Sequence, residues 1–198
     1  MQYIETAKSL EYYRVTAFKW RNSLSVSEKI VLSFFMAVIT GLMAQARFYL
    51  PVTPVPFTGQ VIAVLLSGVL LGSVYGGLSQ VFYVGLGMAG VPWFAGWSAG
   101  SFLSPTTGYL FGFILAALFI GWMIDKYKSR QSILKQILIL LTGVLIIYAS
   151  GAFFFLTAFQ SNIKTCLSLT VYPFILFDIF KAISVSVIAS IIIPKVRN

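Results

Sequence analysis

Asp178 and Lys181 stand three residues apart inside the apolar run from Val171 to Ile193, which is long enough to cross a bilayer. Near the centre of a spanning helix, either charge is unfavourable by ~2.5–3.5 kcal/mol on the insertion scale. The surrounding Ile, Val and Phe offset that cost, so the run still inserts, and the charges need a reason of their own. Positions three apart share a helix face, so the carboxylate and the ammonium can point together into a bundle. Two readings are open. The pair neutralises itself and orients its helix, or it forms a polar solute site in which Asp178 accepts from N–H groups and Lys181 meets a carboxylate.

The rest of the chain is built to hold such a site in a membrane. Hydrophobic residues make up 59% and charged residues 10% of it, with a mean hydropathy of +0.91, far from the balance of a soluble domain. No Asp, Glu, Lys or Arg occurs between Arg47 and Asp125. Several linked membrane helices require such a gap, and a water-exposed domain could hardly tolerate it. The net charge of +9 lies beside apolar spans and not on a hydrophilic surface with aromatic platforms, so it reads as a topology signal and not as nucleic-acid binding.

Enzyme chemistry has little to work with. Five acidic residues, no His and the single Cys166 leave no triad, no pair of carboxylates inside the membrane, and no His/Cys metal or haem site. No glycine-rich loop runs into Lys-Ser or Lys-Thr, so ATP-driven work would need a partner.

Along the chain, residues 1–26 form a basic segment, either an amphipathic helix at the membrane surface or a flexible tail, without the uninterrupted apolar run of a signal peptide. Residues 27–198 form the membrane domain. Ser25 and Glu28 stand at capping-box spacing before helix 1, Ile30 to Ala46. Pro51, Pro54 and Pro56 make the next loop stiff and extended. A short helix 2, about Thr58 to Leu71, turns through Gly72 to Gly77 into helix 3, which ends near Met88. The glycine- and aromatic-rich stretch from Ala89 to Pro105 is too irregular to face lipid, so it is buried in protein or lines a cavity. Helix 4 runs from Pro105 to near Ile124, helix 5 from Ile133 to Phe159, then a polar turn leads to helix 6, Pro173 to Ile193. The expectation is an all-α bundle of six transmembrane helices.

With the amino terminus inside, the inner side holds Lys8, Arg14, Lys19, Arg21, Lys29, Lys126, Lys128, Arg130, Lys135, Lys195 and Arg197, against Arg47 and Lys164 outside. Both termini are therefore cytoplasmic. Helix 6 enters from outside, which places Asp178 ~9 Å and Lys181 ~13 Å below its outer end. The outward loops carry Thr58, Gln60, Trp93, Phe94, Trp97, Ser98 and Tyr109, suited equally to a lid over a partly apolar molecule and to an interfacial aromatic belt. Ala37 and Gly41 have the small-xxx-small spacing that admits a partner helix or internal packing.

The segments "PVPFTGQVIAVLLSGVLLG", "YVGLGMAGVPWFAGWSAG", "SPTTGYLFGF" and "PFILFDIFKA" together resemble BioY, the biotin-binding S component of energy-coupling factor (ECF) vitamin transporters. The resemblance implies the S-component fold in a bacterial plasma membrane, a binding protein and not an enzyme, and no cofactor. Biotin would be captured from outside and delivered with a transmembrane coupling protein and two ATP-binding cassette ATPases, among membrane lipid and without nucleic acid. The family's "PxxxxDxxK" falls on Pro173, Asp178 and Lys181, its "TxQ" on Thr58 and Gln60, and its "GxPxFxG" on Gly90, Pro92, Phe94 and Gly96. In "PTGGY", Thr107 replaces the first Gly between Thr106 and Gly108, ahead of Tyr109. The helix-1 motif AxxxA reads Ala37-x-x-x-Gly41, which implies close packing with the coupling protein.

For biotin, Asp178 would accept from the ureido N–H and either Lys181 or Arg47 would pair with the carboxylate. Gln60 or Tyr148 would satisfy remaining polar atoms, while Phe94, Trp93 and Tyr109 pack on the rings. The alternatives are an S component for another small vitamin and a structural or assembly membrane protein in which the charges only pin helices.

Overall fold

The computed structural model describes Tyr12, Thr16 and residues 19–100, 102–127 and 132–192. Most of the basic amino-terminal segment, Lys128, Arg130, Lys195 and Arg197 lie outside the described residues. Helix α1 spans Val26–Gln45 and starts at the expected box: the Glu28 N–H donates to the Ser25 hydroxyl while the Glu28 carboxylate accepts from the Ser25 N–H. Its buried positions, Ser33, Met36, Ala37, Thr40, Gly41 and Ala44, follow the three-and-four spacing of one helix face.

The proline-rich loop is more ordered than an extended strap. Arg47–Phe48 (β1) and Phe57–Thr58 (β2) pair antiparallel, with Arg47 opposite Thr58. The Gly59 N–H donates to the carbonyls of Met43 and Ala46, so the loop returns to satisfy acceptors that the end of α1 leaves open.

Helix α2, Gln60–Met88, is broken at Gly72, whose φ of 78° and ψ of −171° belong almost only to glycine. The arms on either side fold back on each other: Gln80 Nε2 lies 3.3 Å from the Ser67 hydroxyl, and Gln60 Nε2 donates to the Tyr83 hydroxyl at 2.6 Å. A Cβ on Gly76 would come within 2.7 Å of the Ser67 carbonyl oxygen. The expected helix 2 and helix 3 are thus an antiparallel hairpin. At ~1.5 Å per residue its first arm, 60–71, is only ~18 Å long, too short to span alone.

Helix α3, Thr107–Lys126, packs against both arms of α2 and against α4, Ile133–Ala158. It starts two residues after Pro105. Glycines set these approaches: a Cβ on Gly121 would lie 2.2 Å from the Gly72 carbonyl carbon, and one on Gly112 2.9 Å from the Ile147 Cα. The stretch read as a polar turn after α4 contains a helix, α5 (Ile163–Thr170), capped by the Asn162 side chain and anchored by the buried Cys166 and Thr170. Helix α6, Ile175–Ile192, follows after a turn that includes Pro173 and makes a 48° bend with α5.

Among the described residues four helices are long and apolar enough to cross a membrane, five if the bent α5–α6 pair is one span. The expectation of six transmembrane helices is met broadly and not helix for helix, since the expected helices 2 and 3 form the hairpin α2 and the last span is bent. Arg21, the Gly72 turn and Asp125 meet at the cytoplasmic end, where Arg21 Nη2 lies 2.6 Å from Asp125 Oδ1. The two irregular loops and α5 lie at the outer end.

Gly72→Ala is expected to destabilise the protein by about 1–3 kcal/mol through backbone strain, seen as a lower unfolding midpoint in detergent. The control Gly85→Ala, at a site with nothing within 4 Å, should cause no loss.

Candidate functional site

The site forms where the outer loops close over the start of α6. The Phe174 ring stacks on Phe57 of β2 at 4.3 Å, which fixes the turn preceding Asp178 against the loop. Asp178 then points inward with only 3% of its surface exposed. Lys181, one turn further on, donates to Asp178 Oδ1 at 2.7 Å and to the Thr58 carbonyl at 2.9 Å. The Tyr148 hydroxyl of α4 donates to Asp178 Oδ2 at 2.6 Å. Side chains of α6 and α4 therefore hold the carboxylate, and Lys181 links it to β2. An ionised carboxylate offers about four acceptor positions, so two remain for a ligand.

These groups line a pocket with about 490 Å³ of atom-free space, including the part open to solvent. Its apolar wall comes from Val61, Leu110, Phe113, Ile147 and Phe174. Gln60, at the start of α2, accepts from the Thr58 hydroxyl at 2.9 Å, donates to Tyr83 at 2.6 Å, and lines the pocket. Tyr109 donates its hydroxyl to the Thr170 carbonyl, so its contribution to the lining is the ring. An outer chamber of about 700 Å³ shares Pro56, Thr106 and Leu110 with the first, and adds Tyr49, Phe94, Ser98 and Ser104.

Of the residues singled out from the sequence, Asp178, Lys181, Thr58, Gln60, Tyr109 and Tyr148 meet in the inner pocket, and Phe94 and Ser98 line the outer chamber. Trp93 lies behind the site: its Nε1 donates to the Tyr83 carbonyl at 2.9 Å and its ring covers Gly41. Arg47 lines neither chamber. It donates to Gln45 Oε1 at 2.7 Å and lies beside Gly96, near the Tyr49 hydroxyl. Ala37 and Gly41 both lie on the buried face of α1, Ala37 completely covered and Gly41 under Trp93.

Gln45 was not singled out from the sequence, yet it organises the outer end. Its Nε2 donates to the carbonyls of Trp93 (3.2 Å) and Phe94 (3.0 Å), while its Oε1 accepts from Arg47 and from the Trp97 N–H. The sequence signal was a lone long polar side chain closing an apolar helix. Phe113, Leu110 and Phe174 were missed for a different reason: apolar residues in apolar helices carry no mark of which of them face a pocket.

Comparison with known proteins agrees with this architecture. The sequence pattern of the BioY family matches residues 15–198. The biotin transporter BioY of Thermotoga maritima is 41% identical over 142 residues, covering 71% of this chain and 82% of that protein. The biotin transporter BioY of Lactococcus lactis is 35% identical over 141 residues, 68% of this chain and 74% of that one. The crystal structure of the S-component for biotin from an ECF-type ABC transporter superposes with a TM-score of 0.76 at 26% identity, covering 84% of this chain and 93% of that one. With a family match over nearly the whole chain and the S-component fold beneath it, this multi-pass protein of the plasma membrane belongs to the BioY family.

Proposed function

We propose that this chain is the biotin-binding S component of an ECF transporter. It takes biotin from the extracellular side and hands it on with a separate energising module made of a transmembrane coupling protein and two ATP-binding cassette ATPases. The observation that carries the reading is the Asp178 carboxylate, buried, held by Lys181 and Tyr148, and left with acceptor positions at the floor of an apolar pocket.

Biotin's functional groups match the site one by one. Its ureido ring presents two N–H donors, for which Asp178 is the acceptor, and a carbonyl, for which the Gln60 amide is the donor. The thiophane ring packs between Tyr109, Phe113 and Phe174. The aliphatic tail passes Thr106 into the outer chamber, beneath Phe94 and beside Ser98. Two cations were candidates for the tail carboxylate. Lys181 is already engaged by Asp178 and by the Thr58 carbonyl, whereas Arg47 meets a neutral amide, with no carboxylate at ion-pair distance among the described residues. Arg47, whose guanidinium lies beside Gly96 at the rim of the outer chamber, is therefore assigned to the carboxylate, and Lys181 to holding Asp178 in place.

Calorimetric titration of biotin into the purified chain in detergent tests the reading. Wild type should bind tightly, and Asp178→Asn should lose about 100-fold or more, the equivalent of about 2.7 kcal/mol. A folded wild type that ignores biotin, or that prefers another vitamin in a competition panel, sinks the assignment. Lys181→Ala should also lower stability by about 3–5 kcal/mol, because it strips a buried carboxylate of its partner, and a chemical-unfolding curve checks that separately from binding.

The division between the cations has its own test. Replacing biotin by biotinamide should weaken binding to wild type about 10-fold but leave Arg47→Ala, already weakened, indifferent between the two ligands. Equal discrimination by Arg47→Ala and wild type would return the carboxylate to Lys181.

A further inference from the structure

The cytoplasmic end holds a separate cavity of about 710 Å³, including the part open to solvent, which shares no lining residue with the ligand pocket. Its wall has two chemistries. Leu32 of α1 and Leu71 and Val74 beside the α2 turn contribute apolar surface, while Arg21, Lys29 and Ser73 contribute polar groups. Arg21 is fixed by its ion pair with Asp125, whose second oxygen accepts from the Ser73 N–H at 3.4 Å.

Lys29 is placed differently. Its ammonium lies 5.7 Å from the centre of the Tyr75 ring. The neighbouring carboxylate, Glu28, is turned to the helix cap, accepting from the Ser25 N–H and hydroxyl at 2.7 Å each. Among the described residues no carboxylate reaches ion-pair distance of Lys29. Among the described residues two cations and one carboxylate line the cavity, and the cation without the carboxylate is Lys29.

The depth of this cavity identifies what would neutralise that charge. Lys29 is one turn into a membrane helix on the side rich in Lys and Arg, the level of the cytoplasmic headgroups. At the same end Lys126 lies over the rings of Trp122 and Tyr127, the pattern of an interfacial belt. Anionic lipids give the cytoplasmic leaflet its negative potential. A soluble anion would match the polar groups of the lining but leave its leucines and valine without a partner. A phospholipid matches both chemistries.

We infer that this cavity seats an anionic phospholipid of the cytoplasmic leaflet. Lys29 binds its phosphate, Arg21 flanks it, and an acyl chain runs along Leu32, Leu71 and Val74. The bound lipid ties α1 to the turn of the α2 hairpin.

The test uses the full chain, delipidated in detergent, with its unfolding midpoint followed as phosphatidylglycerol, phosphatidylcholine or inorganic phosphate is added, and with retained lipid counted by native mass spectrometry. Phosphatidylglycerol should raise the midpoint and stay bound, and neither other additive should match it. Lys29→Ala should weaken the phosphatidylglycerol effect about 5–10-fold, Lys29→Arg should restore it, and both should bind biotin as wild type does. Lys135→Ala, an exposed cytoplasmic lysine outside the cavity, should change the lipid effect less than about twofold. Equal protection by phosphatidylcholine, or an equal loss in Lys135→Ala, would overturn the site in favour of unspecific lipid or charge. Full protection by inorganic phosphate would overturn the lipid in favour of a soluble anion.

Discussion

A carboxylate at membrane depth with 3% of its surface exposed is tolerable only if its charge is met on the spot. Asp178 has the Lys181 ammonium on one oxygen and the Tyr148 hydroxyl on the other, and Lys181 carries the constraint onward to the Thr58 carbonyl. Helix α6, helix α4 and the β2 strand are thereby brought to one point. Removing any of them would leave a polar group without a partner in a medium that supplies none. The ligand pocket is the space between these fixed points, so its shape depends on the carboxylate being satisfied before any ligand arrives.

The outer loops are possible for the same reason. Irregular backbone survives at this depth only against protein or a cavity. Gln45 supplies part of that protein surface by joining the end of α1 to the Trp93 and Phe94 carbonyls, and Thr53 does so by donating to the Leu169 carbonyl at 2.6 Å. The outer loops are thus held by side chain to backbone bonds together with ring packing, Trp93 on Gly41 of α1 and Phe57 on Phe174 beside α6.

Below the site the bundle is closed by small residues and one polar knot. Gly68, Gly112 and Gly121 bring backbones into contact, and Gln80 Nε2 lies within 3.3 Å of the hydroxyls of Thr40, Ser67 and Ser79. Three helical segments meet at that amide. With no hydrophobic drive between helices in lipid, close packing and buried hydrogen bonds have to hold them together. The two ends of the molecule differ accordingly, the outer built around the Asp178 pocket and the inner around the Arg21–Asp125 bridge and the Lys29–Tyr75 contact.

Much of this was legible in the chain alone, because bilayer thickness and charge cost act on residue types whatever their neighbours. The uncharged interval after Arg47 and the prolines and glycines at the breaks marked most of the membrane helices, and the Asp178 and Lys181 spacing anticipated that the two side chains meet. Tertiary structure decided the rest. Only folding could separate Arg47 from Lys181 in their surroundings, bury Ala37 and Gly41 within the chain, move Trp93 behind the pocket, and make Gln45 a clasp. It also turned residues 163–170 from a polar turn into a capped helix, since Cys166 and Thr170 are stabilised by burial against α4 and not by local propensity. A partner across the bundle is set by how helices rotate and pack, and apolar helices look alike from every side until packing chooses a face.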